Sequence, residues 1–344
     1  MDLKHKLSNI DSEILQINEE IFKLKSRKNE LLKTKQKLIE RHNTEEAEAL
    51  SKSQNWESSD QFPWSSKLKT LLNHTFRLSK FRPLQLSAIN ATLSGNDVMM
   101  IMPTGGGKSL CYQLPALVED KPGFTLVVSP LVSLMEDQVM ALKKLNISAE
   151  NLSASTDKID VTRILNDMIN SKSTLKLLYV TPEKLSKSKR FMAKLQKSYE
   201  MGYFKRLAID EVHCCSVWGH DFRPDYKFLG VVRNLCPKIP IMGLTATSTS
   251  HVTEDVKKIL NIQKSLLFKS PLNRPNLFYE VRPKPDSHEA SLTMIQDLLE
   301  NEFKNQSGII YTLTIKDVEN LTKDLRAKGL RVGCYHANLE SDYR

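Results

Sequence analysis

A glycine-rich turn follows an apolar run in the stretch Ile101-Met102-Pro103-Thr104-Gly105-Gly106-Gly107-Lys108-Ser109. Consecutive backbone N–H groups of such a turn can wrap a phosphate chain, and the helix that follows adds a favourable dipole. Lys108 supplies a point charge for the β- and γ-phosphates, and the Ser109 hydroxyl stands where it can ligate Mg²⁺. The stretch therefore predicts a nucleoside triphosphate site between a strand and a helix.

A second motif, Ile209-Asp210-Glu211-Val212-His213, ends another apolar run further along the chain. Asp210 would hold the magnesium ion from the other side, and Glu211 can orient the attacking water. The first motif departs from the full pattern G-x-x-x-x-G-K-[ST] at Met102, which stands where the first glycine belongs. An ordinary glycine turn before a helix is an alternative for the first motif alone, and the Asp-Glu pair weakens that alternative.

Short apolar runs alternate with helical stretches from about Phe62 onward. Each run precedes a loop that carries a motif, and active residues at the carboxyl ends of parallel strands are typical of an open, doubly wound α/β sheet. The sequence therefore predicts an α/β fold built on a parallel sheet. The predicted strands cover residues 98–102, 124–128, 175–180, 207–210 and 241–244.

Five further motifs accompany the first two. They are Leu78-Ser79-Lys80-Phe81-Arg82-Pro83-Leu84-Gln85, Val128-Ser129-Pro130-Leu131, Tyr179-Val180-Thr181-Pro182-Glu183, Cys214-Cys215-Ser216-Val217-Trp218-Gly219-His220-Asp221-Phe222-Arg223-Pro224-Asp225-Tyr226 and Gly243-Leu244-Thr245-Ala246-Thr247. In their order, these motifs resemble those of the RecQ family of superfamily 2 helicases. The resemblance runs from about Phe62 to the C-terminus. Within the family, Phe62-Pro63-Trp64 and the N-terminal segment are similar to the short type of animal cells.

The resemblance implies roles for individual residues. Phe81, Arg82 and Gln85 would recognise adenine, because a Gln side chain can both donate to and accept from an adenine edge. The other residues implied at the nucleotide are Thr104, Gly105, Gly106, Gly107, Lys108, Ser109 and His213, with Lys108, Asp210 and Glu211 catalytic and with Ser109 and Asp210 at the magnesium ion. The residues implied in DNA contact or coupling are Ser129 and Thr181, through DNA phosphates, and Trp218, Phe222, Arg223, Thr245 and Thr247.

Two of these assignments have plain alternatives. Trp218 and Phe222 are either core aromatics or, as Gly219 and the charged neighbours favour, part of a loop that stacks on single-stranded bases. His213 is either a satisfied polar residue or, as its place after Asp-Glu-Val favours, a contact of the γ-phosphate or of Gln85.

The activity implied by the resemblance is ATP-driven 3′-to-5′ translocation on DNA with unwinding, in repair, recombination and replication in the nucleus. The cofactors would be ATP and Mg²⁺, with no zinc site in this chain. The partners would be single-stranded DNA, forked duplexes and junctions. The alternative is a fragment that holds ATP or DNA and oligomerises without unwinding. An RNA helicase is disfavoured by the loop from Trp218 to Tyr226, which RNA-directed members of the superfamily lack.

Residues 1–41 are predicted to form a coiled-coil helix. Apolar residues recur there at alternating steps of four and three, at Leu3, Leu7, Ile10, Ile14, Ile17, Ile21, Leu24, Leu31 and Leu38. A long isolated helix buries such a stripe against a partner helix, so we predict a homo-oligomer formed through residues 3–38, with Lys28 and Lys35 weakening its far end. The alternative is a helix that packs on the chain's own core. Residues 42–61 are polar and non-periodic, which predicts a flexible linker.

The composition fits this interpretation. The 344 residues carry a formal net charge of +10 with a pI near 9.2, which suits a polyanionic partner. The five cysteines form no C-x-x-C pair, so we expect reduced thiols of an intracellular protein. No apolar run approaches the length that spans a bilayer, so no membrane partner is predicted.

The chain is predicted to hold one RecA-like lobe and part of a second. Residues 62–276 would form the first lobe, and 277–344 an incomplete second lobe, because Arg274-Pro275-Asn276-Leu277 resembles the family's junction. A strand is predicted to open at 308–311, a helix at 315–328 that ends at Gly329, and a strand at 331–335, before the family-like motif Tyr335-His336-Ala337-Asn338-Leu339. The motif that bears the family's transition-state arginine would lie beyond Arg344. We therefore expect this chain alone to unwind DNA poorly or not at all.

Overall fold

The chain divides into two compact units, Met1–Asn273 and Arg274–Arg344. The computed structural model describes residues 2–118, 122–271, 273–336 and 338–339. The division lies close to the predicted lobe boundary after Asn276. Among the described residues, the longest helices are too polar to cross a lipid bilayer.

The first unit is built on a seven-stranded sheet in which every pair of neighbouring strands is parallel. The strand order is β3-β4-β2-β5-β6-β1-β7. The strands are β1 (Val98–Ile101), β2 (Phe124–Val128), β3 (Ala149–Leu152), β4 (Leu177–Val180), β5 (Phe204–Ile209), β6 (Ile241–Thr245) and β7 (Leu266–Lys269). This parallel α/β sheet confirms the predicted fold class.

Helices cover both faces of the sheet, as an all-parallel sheet requires. Successive strand residues therefore enter opposite cores, with Met99 in one apolar cluster and Met100 in the other. The helices of this unit are α1 (Asp2–Ser53), α2 (Ser65–Thr70), α3 (Gln85–Leu93), α4 (Leu110–Gln113), α5 (Pro115–Val118), α6 (Val132–Lys144), α7 (Lys158–Asp167), α8 (Pro182–Lys187), α9 (Lys189–Glu200), α10 (Pro224–Lys227), α11 (Gly230–Leu235) and α12 (Ser250–Ile259). A π-helical turn (Leu71–Thr75) follows α2, and a 3-10 turn (Val212–Cys215) follows β5.

Two strands, β3 and β7, were not predicted from the sequence. Both are edge strands of the sheet. The central strand β2 is buried at every residue, whereas β3 carries partly exposed Glu150 and Asn151 and β7 alternates buried with exposed residues. Edge strands bury less of their surface, so they lack the continuous apolar run that marks a central parallel strand.

The N-terminal helix α1 extends through 52 residues to Ser53. The predicted flexible linker over 42–61 is therefore helical in its first part, which corrects the boundary at residue 41. Ion pairs between side chains four positions apart, such as Arg41 with Glu45, support the polar end of the helix. Glu46 also pairs with Lys264 at 2.7 Å, which joins this end of α1 to the rest of the unit.

The apolar stripe of α1 is exposed to solvent. Leu7, Ile10, Ile14 and Ile17 each keep at least half of their surface accessible. This exposure argues against the alternative in which the helix packs its stripe on the chain's own core.

The second part of the predicted linker belongs to the folded unit. Trp56 and Phe62 are buried, and their rings stack with that of Trp64 in a row. The fully buried Asn90 of α3 donates to the carbonyls of Trp56 at 2.9 Å and Ser58 at 3.1 Å. Its side-chain oxygen accepts from Trp64 Nε1 at 2.9 Å. One amide therefore fastens this segment to α3, the helix that begins at Gln85.

We expect Asn90→Ala to lower the free energy of unfolding by about 2–3 kcal/mol, since it leaves buried donors and acceptors unpaired. Asn96→Ala is the matched control, because the Asn96 amide makes a single long contact to Ala91 O at 3.4 Å. Urea unfolding followed by circular dichroism measures both midpoints. Equal midpoints for the two variants would show that the Asn90 hydrogen bonds add no more to the free energy of unfolding than the Asn96 contact does.

The second unit contains α13 (His288–Asp297), a π-helical turn (Leu298–Glu302) and α14 (Ile315–Ala327). The Thr314 side chain caps α14, and Gly329 follows it with φ +81°, so the predicted helix and its stop are confirmed. The predicted strands at 308–311 and 331–335 are not formed in the described part of this unit. A strand is stabilised by pairing with a neighbour, and Tyr311 is 90% exposed here. Ala337 and residues 340–344 lie outside the described residues.

Candidate active site

The glycine-rich turn leaves the carboxyl end of β1, and the motifs at Ser129, Thr181, Asp210 and Thr245 lie at the carboxyl ends of β2, β4, β5 and β6. Gly105 and Gly107 have φ values of +77° and +92°, which side chains rarely adopt. A Cβ atom on Gly106 would lie 2.4 Å from Met102 Cγ. The Met102 side chain therefore occupies the space beside the turn, and Gly106 is the residue that makes room for it.

The helix α3 holds the turn from its other side. Gln85 donates from Nε2 to Gly107 O at 2.9 Å and accepts at Oε1 from the Arg82 backbone at 2.8 Å. The Arg82 guanidinium donates to Gly105 O. Phe81 packs, partly buried, against the adjoining apolar cluster. Two of the three residues predicted to recognise adenine, Arg82 and Gln85, are thus bonded to the glycine-rich turn, and Phe81 packs on the apolar cluster nearby.

Lys108 and Ser109 close the turn ahead of α4. Lys108 Nζ donates to Met102 O at 3.2 Å, so its ammonium folds over the turn. The charge of Lys108 reaches both carboxyl groups after β5: it partly opposes the rise that burial causes in the pKa of Asp210, and it adds to the lowering of the pKa of Glu211. A phosphate chain in the turn could accept from Lys108, while Ser109 and Asp210 could hold Mg²⁺ between them.

The two carboxyl groups after β5, those of Asp210 and Glu211, have pKa values that are shifted in opposite directions. Burial, followed by the charge of Glu211, raises the pKa of Asp210 to about 6. A hydrogen bond from His213 lowers the pKa of Glu211, so Glu211 is ionised at neutral pH. A divalent cation beside Asp210 would favour its charged form, because an opposite charge stabilises the carboxylate. Glu211 would then be the carboxylate left to act on a water molecule, with His213 beside it.

Glu211 adopts a left-handed backbone conformation, with φ +48° and ψ +45°. Its N–H donates to Asp210 Oδ1 at 3.1 Å, and its carbonyl accepts from Cys214 N at 2.9 Å. A non-glycine residue held in this region costs about 1–3 kcal/mol and persists where surrounding bonds enforce it. The conformation turns the side chain of Glu211 out of the strand direction.

His213 is buried at 5% exposure and connects two motifs. Its Nδ1 lies 3.3 Å from Glu211 Oε2 and 2.8 Å from Thr245 Oγ1. Thr245 donates its hydroxyl to Thr247 O at 2.9 Å, so its lone pairs are left to accept, and the proton is assigned to Nδ1 of His213. His213 therefore contacts Glu211 and Thr245, rather than Gln85 as one prediction had it.

The aromatic-rich loop lies beside this network. Trp218 is 68% exposed, which places it outside the core. Phe222 lies under Lys227, whose Nζ is 5.0 Å from the ring centre. Arg223 donates to Pro130 O at 3.2 Å and pairs with Asp221. The loop thus presents one exposed aromatic ring and is tied by Arg223 to the segment after β2.

The sequence did not predict the contact between Tyr226 and Asp210. The buried hydroxyl of Tyr226 donates to Asp210 O at 3.0 Å, which joins the end of the aromatic-rich loop to the predicted magnesium ligand. A buried tyrosine hydroxyl needs a hydrogen-bond partner, and that is the one signal the sequence offered.

Ser129 and Thr181 follow β2 and β4 at the same edge of the sheet. The Ser129 hydroxyl is buried and has no hydrogen-bond partner among the described residues. Thr181 begins α8 without capping it by its side chain. Ser129 therefore leaves a buried, unpaired hydroxyl at this end of the sheet, close to the start of α8 at Thr181.

The cysteines form no metal site in the described part of the chain, where no cluster of three or more His, Cys, Asp and Glu side chains is placed to hold an ion. All five cysteines are free thiols. Burial raises the pKa of Cys111 to about 12, so its thiol is protonated and unreactive.

A phosphate-binding turn, an Asp-Glu pair and a parallel sheet together define a nucleotide-binding α/β protein of the RecA-like class. The chain belongs to the DEAD/DEAH box helicase family, whose model matches residues 82–256. Its similarity to helicases of the Q1 type places it in the RecQ branch. The resemblance stated from the sequence is thereby confirmed.

Two relatives and one solved structure illustrate the similarity. The chain is 49% identical to the ATP-dependent DNA helicase Q1 of Rattus norvegicus, over 99% of this chain and 56% of that protein. It is 52% identical to the putative ATP-dependent DNA helicase Q1 of Caenorhabditis briggsae, over 82% and 45%. The crystal structure of the DUF1998 helicase MrfA shares the fold, with a TM-score of 0.55 and 17% identity over 79% of this chain and 41% of that one. The chain spans about half the length of the curated relatives it matches.

Proposed function

We propose that the chain is the ATP-binding part of a RecQ-type DNA helicase, which couples ATP hydrolysis to 3′-to-5′ translocation on DNA and to unwinding of forked duplexes and junctions. One observation carries the proposal: His213 bonds both to Glu211 and to Thr245, beside a loop that exposes Trp218. His213 thus joins the carboxylate proposed to orient the attacking water to the motif after β6, and the chain continues from His213 into the loop that exposes Trp218. Such a connection supports a proposed coupling of hydrolysis to movement on DNA.

The residues divide into three proposed roles. Lys108, Ser109 and Asp210 bind the phosphates and Mg²⁺, and Glu211 activates the water. Phe81, Arg82 and Gln85 recognise the adenine, which would require Gln85 to exchange its bond with Gly107 for the base. Ser129, Thr181, Trp218, Phe222 and Arg223 contact DNA, and Thr245 and Thr247 relay that contact. A place in nuclear repair, recombination and replication agrees with this chemistry.

Trp218→Ala tests the DNA-contacting role of the loop. We expect the affinity for a single-stranded oligonucleotide to fall by about 1–3 kcal/mol, the worth of one stacked base. The affinity for a non-hydrolysable ATP analogue without DNA should stay unchanged. Fluorescence anisotropy with a labelled oligothymidylate measures the first quantity, and calorimetry the second.

The control for Trp218 is Met140→Ala, which removes another large exposed side chain, on α6. Met140→Ala should leave DNA affinity unaltered. Wild-type DNA affinity in Trp218→Ala, together with a lowered melting temperature, would assign Trp218 to packing and remove the loop from the DNA site.

A second proposed function is self-association through residues 3–38, favoured by the exposed stripe of α1. Deleting residues 1–41 should lower the oligomeric state while the remainder stays folded, because both apolar clusters of the unit are built from residues at or after Trp56. Multi-angle light scattering measures the mass before and after the deletion. An unchanged number of copies per particle would exclude the coiled coil.

Point substitutions in the intact helix sharpen this test. Ile14→Gln with Ile17→Gln places two polar groups in the stripe and should shift the chain to smaller particles. Leu15→Gln with Phe22→Gln changes two exposed apolar residues that lie one position away from the stripe. This second pair should keep the wild-type mass.

A further inference from the structure

Ser216 joins the aromatic-rich loop to α12. Its hydroxyl is fully buried, accepts from the backbone N–H of Trp218 at 3.2 Å and donates to Asp255 Oδ2 at 2.5 Å. A bond to a charged carboxylate is stronger than one between neutral groups. The backbone position of Trp218 is therefore connected, through one hydroxyl, to a carboxylate on a neighbouring helix.

The side chain of Trp218 reaches the same helix. Its ring meets that of His251 edge to face, with 5.2 Å between centroids. His251 and Asp255 are four positions apart, so they lie on one face of α12 and point toward the loop together. Two other residues of α12 anchor the helix to the core. They are Val252 and Val256, which are buried in the apolar cluster. The helix is thus fixed in the core, touches the ring of Trp218 through His251, and is joined to the backbone of Trp218 through Ser216.

The N-terminal end of α12, which carries His251, follows β6 and its motif in the chain. The helix begins two residues after Ser248, and Thr249 caps it by accepting from Val252 N at 3.2 Å. Ser248 and Thr253 share a hydroxyl–hydroxyl bond of 2.8 Å, which ties the segment after Thr247 to the first turn. A displacement of α12 therefore acts on Thr245 and Thr247 as well as on the loop.

We propose that Asp255 is a positioning residue for coupling, which holds Trp218 through Ser216 and links the DNA-contacting loop to the Thr245 motif through α12, with His251 as the contact for the indole ring. The inference rests on the proposed function, since it names the residues through which the loop and the nucleotide site communicate. Asp255 itself touches neither nucleotide nor DNA. Its carboxylate sets where the exposed ring stands before DNA arrives.

The first arm of the test observes the position of Trp218 without any ligand. The full chain is labelled with 5-fluorotryptophan, and its fluorine resonance for Trp218 is assigned by its loss in Trp218→Phe. In Asp255→Ala we expect this resonance to narrow by about twofold and to move toward that of the free amino acid, because the ring gains fast motion. Asp255→Asn, whose amide oxygen can still accept from Ser216, should retain the wild-type signal. Ser216→Ala removes the same link from its other side and should reproduce Asp255→Ala.

The second arm measures coupling as a ratio of affinities. Calorimetry gives the dissociation constant of a non-hydrolysable ATP analogue with Mg²⁺, with and without a saturating oligothymidylate. Couplings of this kind change an affinity by about 5–150-fold, and the effect is reciprocal. In Asp255→Ala we expect the ratio to collapse to near one, while the dissociation constant without DNA stays at its wild-type value. Asp255→Asn should restore the ratio, and Glu254→Ala, the adjacent exposed carboxylate, should keep it.

The outcomes separate the two proposals. A wild-type chain that binds no ATP analogue or no DNA would overturn the proposed function, while the fluorine signal would still decide whether Asp255 positions Trp218. Wild-type coupling that survives in both Asp255→Ala and Ser216→Ala would overturn the inference and leave the proposed function standing. Loss of coupling in Glu254→Ala to the same degree would also overturn it, since the effect would then belong to α12 as a whole.

Discussion

Lys108→Ala should abolish nucleotide hydrolysis. Lys108 is the one cation within the glycine-rich motif, and its Nζ lies over the turn, 3.2 Å from Met102 O. A γ-phosphate bound there would replace that carbonyl as the acceptor and gain a charge-assisted bond. The same ammonium would neutralise charge that develops on the phosphoryl group in the transition state. Losing one preorganised donor of this kind costs at least about 10²–10³-fold in rate.

The control for this prediction is Lys144→Ala, which removes an exposed lysine in the last turn of α6. ATP hydrolysis and binding of a non-hydrolysable analogue are measured for both variants beside the wild-type chain. Lys144→Ala should match the wild type in both measurements. Hydrolysis at the wild-type rate in Lys108→Ala would place the phosphate site elsewhere.

The fold was predictable where burial leaves a strong pattern. Central strands such as β2 are apolar at every position, because a parallel strand is covered on both faces, and their predicted bounds agree closely with the structure. The edge strands β3 and β7 escaped because partial exposure permits Glu150, Asn151 and Lys269 in them. The boundary of α1 escaped for another reason. Its polar end has no apolar stripe, and local ion pairs support helix there.

The site was predictable as a set of motifs and not as a set of contacts. A motif places a residue at the end of a strand, so the meeting of Lys108 with Asp210 and Glu211 at one edge of the sheet could be foreseen. The partner of His213 could not, because Thr245 lies far along the chain and only the strand order β5-β6 brings them together. Asn90 and Asp255 escaped because each is an ordinary polar residue in a helix until its partners are known.

Met102 shows how a departure from a motif can be compensated. The pattern asks for glycine at this position, and a methionine side chain would crowd an ordinary turn. Here it packs beside Gly106, where a Cβ would lie 2.4 Å from Met102 Cγ. The flexible thioether fits the space that the absent side chain of Gly106 leaves. With methionine at position 102, glycine is required at position 106 instead, and the turn is kept.

Glu211→Gln should stop turnover and spare nucleotide binding. Glu211 is ionised, because the hydrogen bond from His213 lowers the pKa of its carboxyl group. It is held in a left-handed conformation by bonds at its own N–H and carbonyl, which the substitution leaves in place. A glutamine therefore fills the same position but cannot take a proton from the attacking water. General-base contributions are worth about 10²–10⁴-fold in rate, so we expect hydrolysis to fall by that factor.

The ground-state affinity separates this role from a structural one. In the proposed function the phosphates and Mg²⁺ are held by Lys108, Ser109 and Asp210, so the dissociation constant for a non-hydrolysable analogue should change little in Glu211→Gln. Glu254→Gln makes the same chemical change on the exposed face of α12 and should alter neither rate nor affinity. A loss of affinity in Glu211→Gln as large as the loss of rate would mean that its carboxylate shapes the turn around Asp210, and the role of activating water would pass to another group. Because His213 bonds to both Glu211 and Thr245, the neutral amide should also weaken the link from hydrolysis to the β6 motif, so that DNA no longer alters the residual rate.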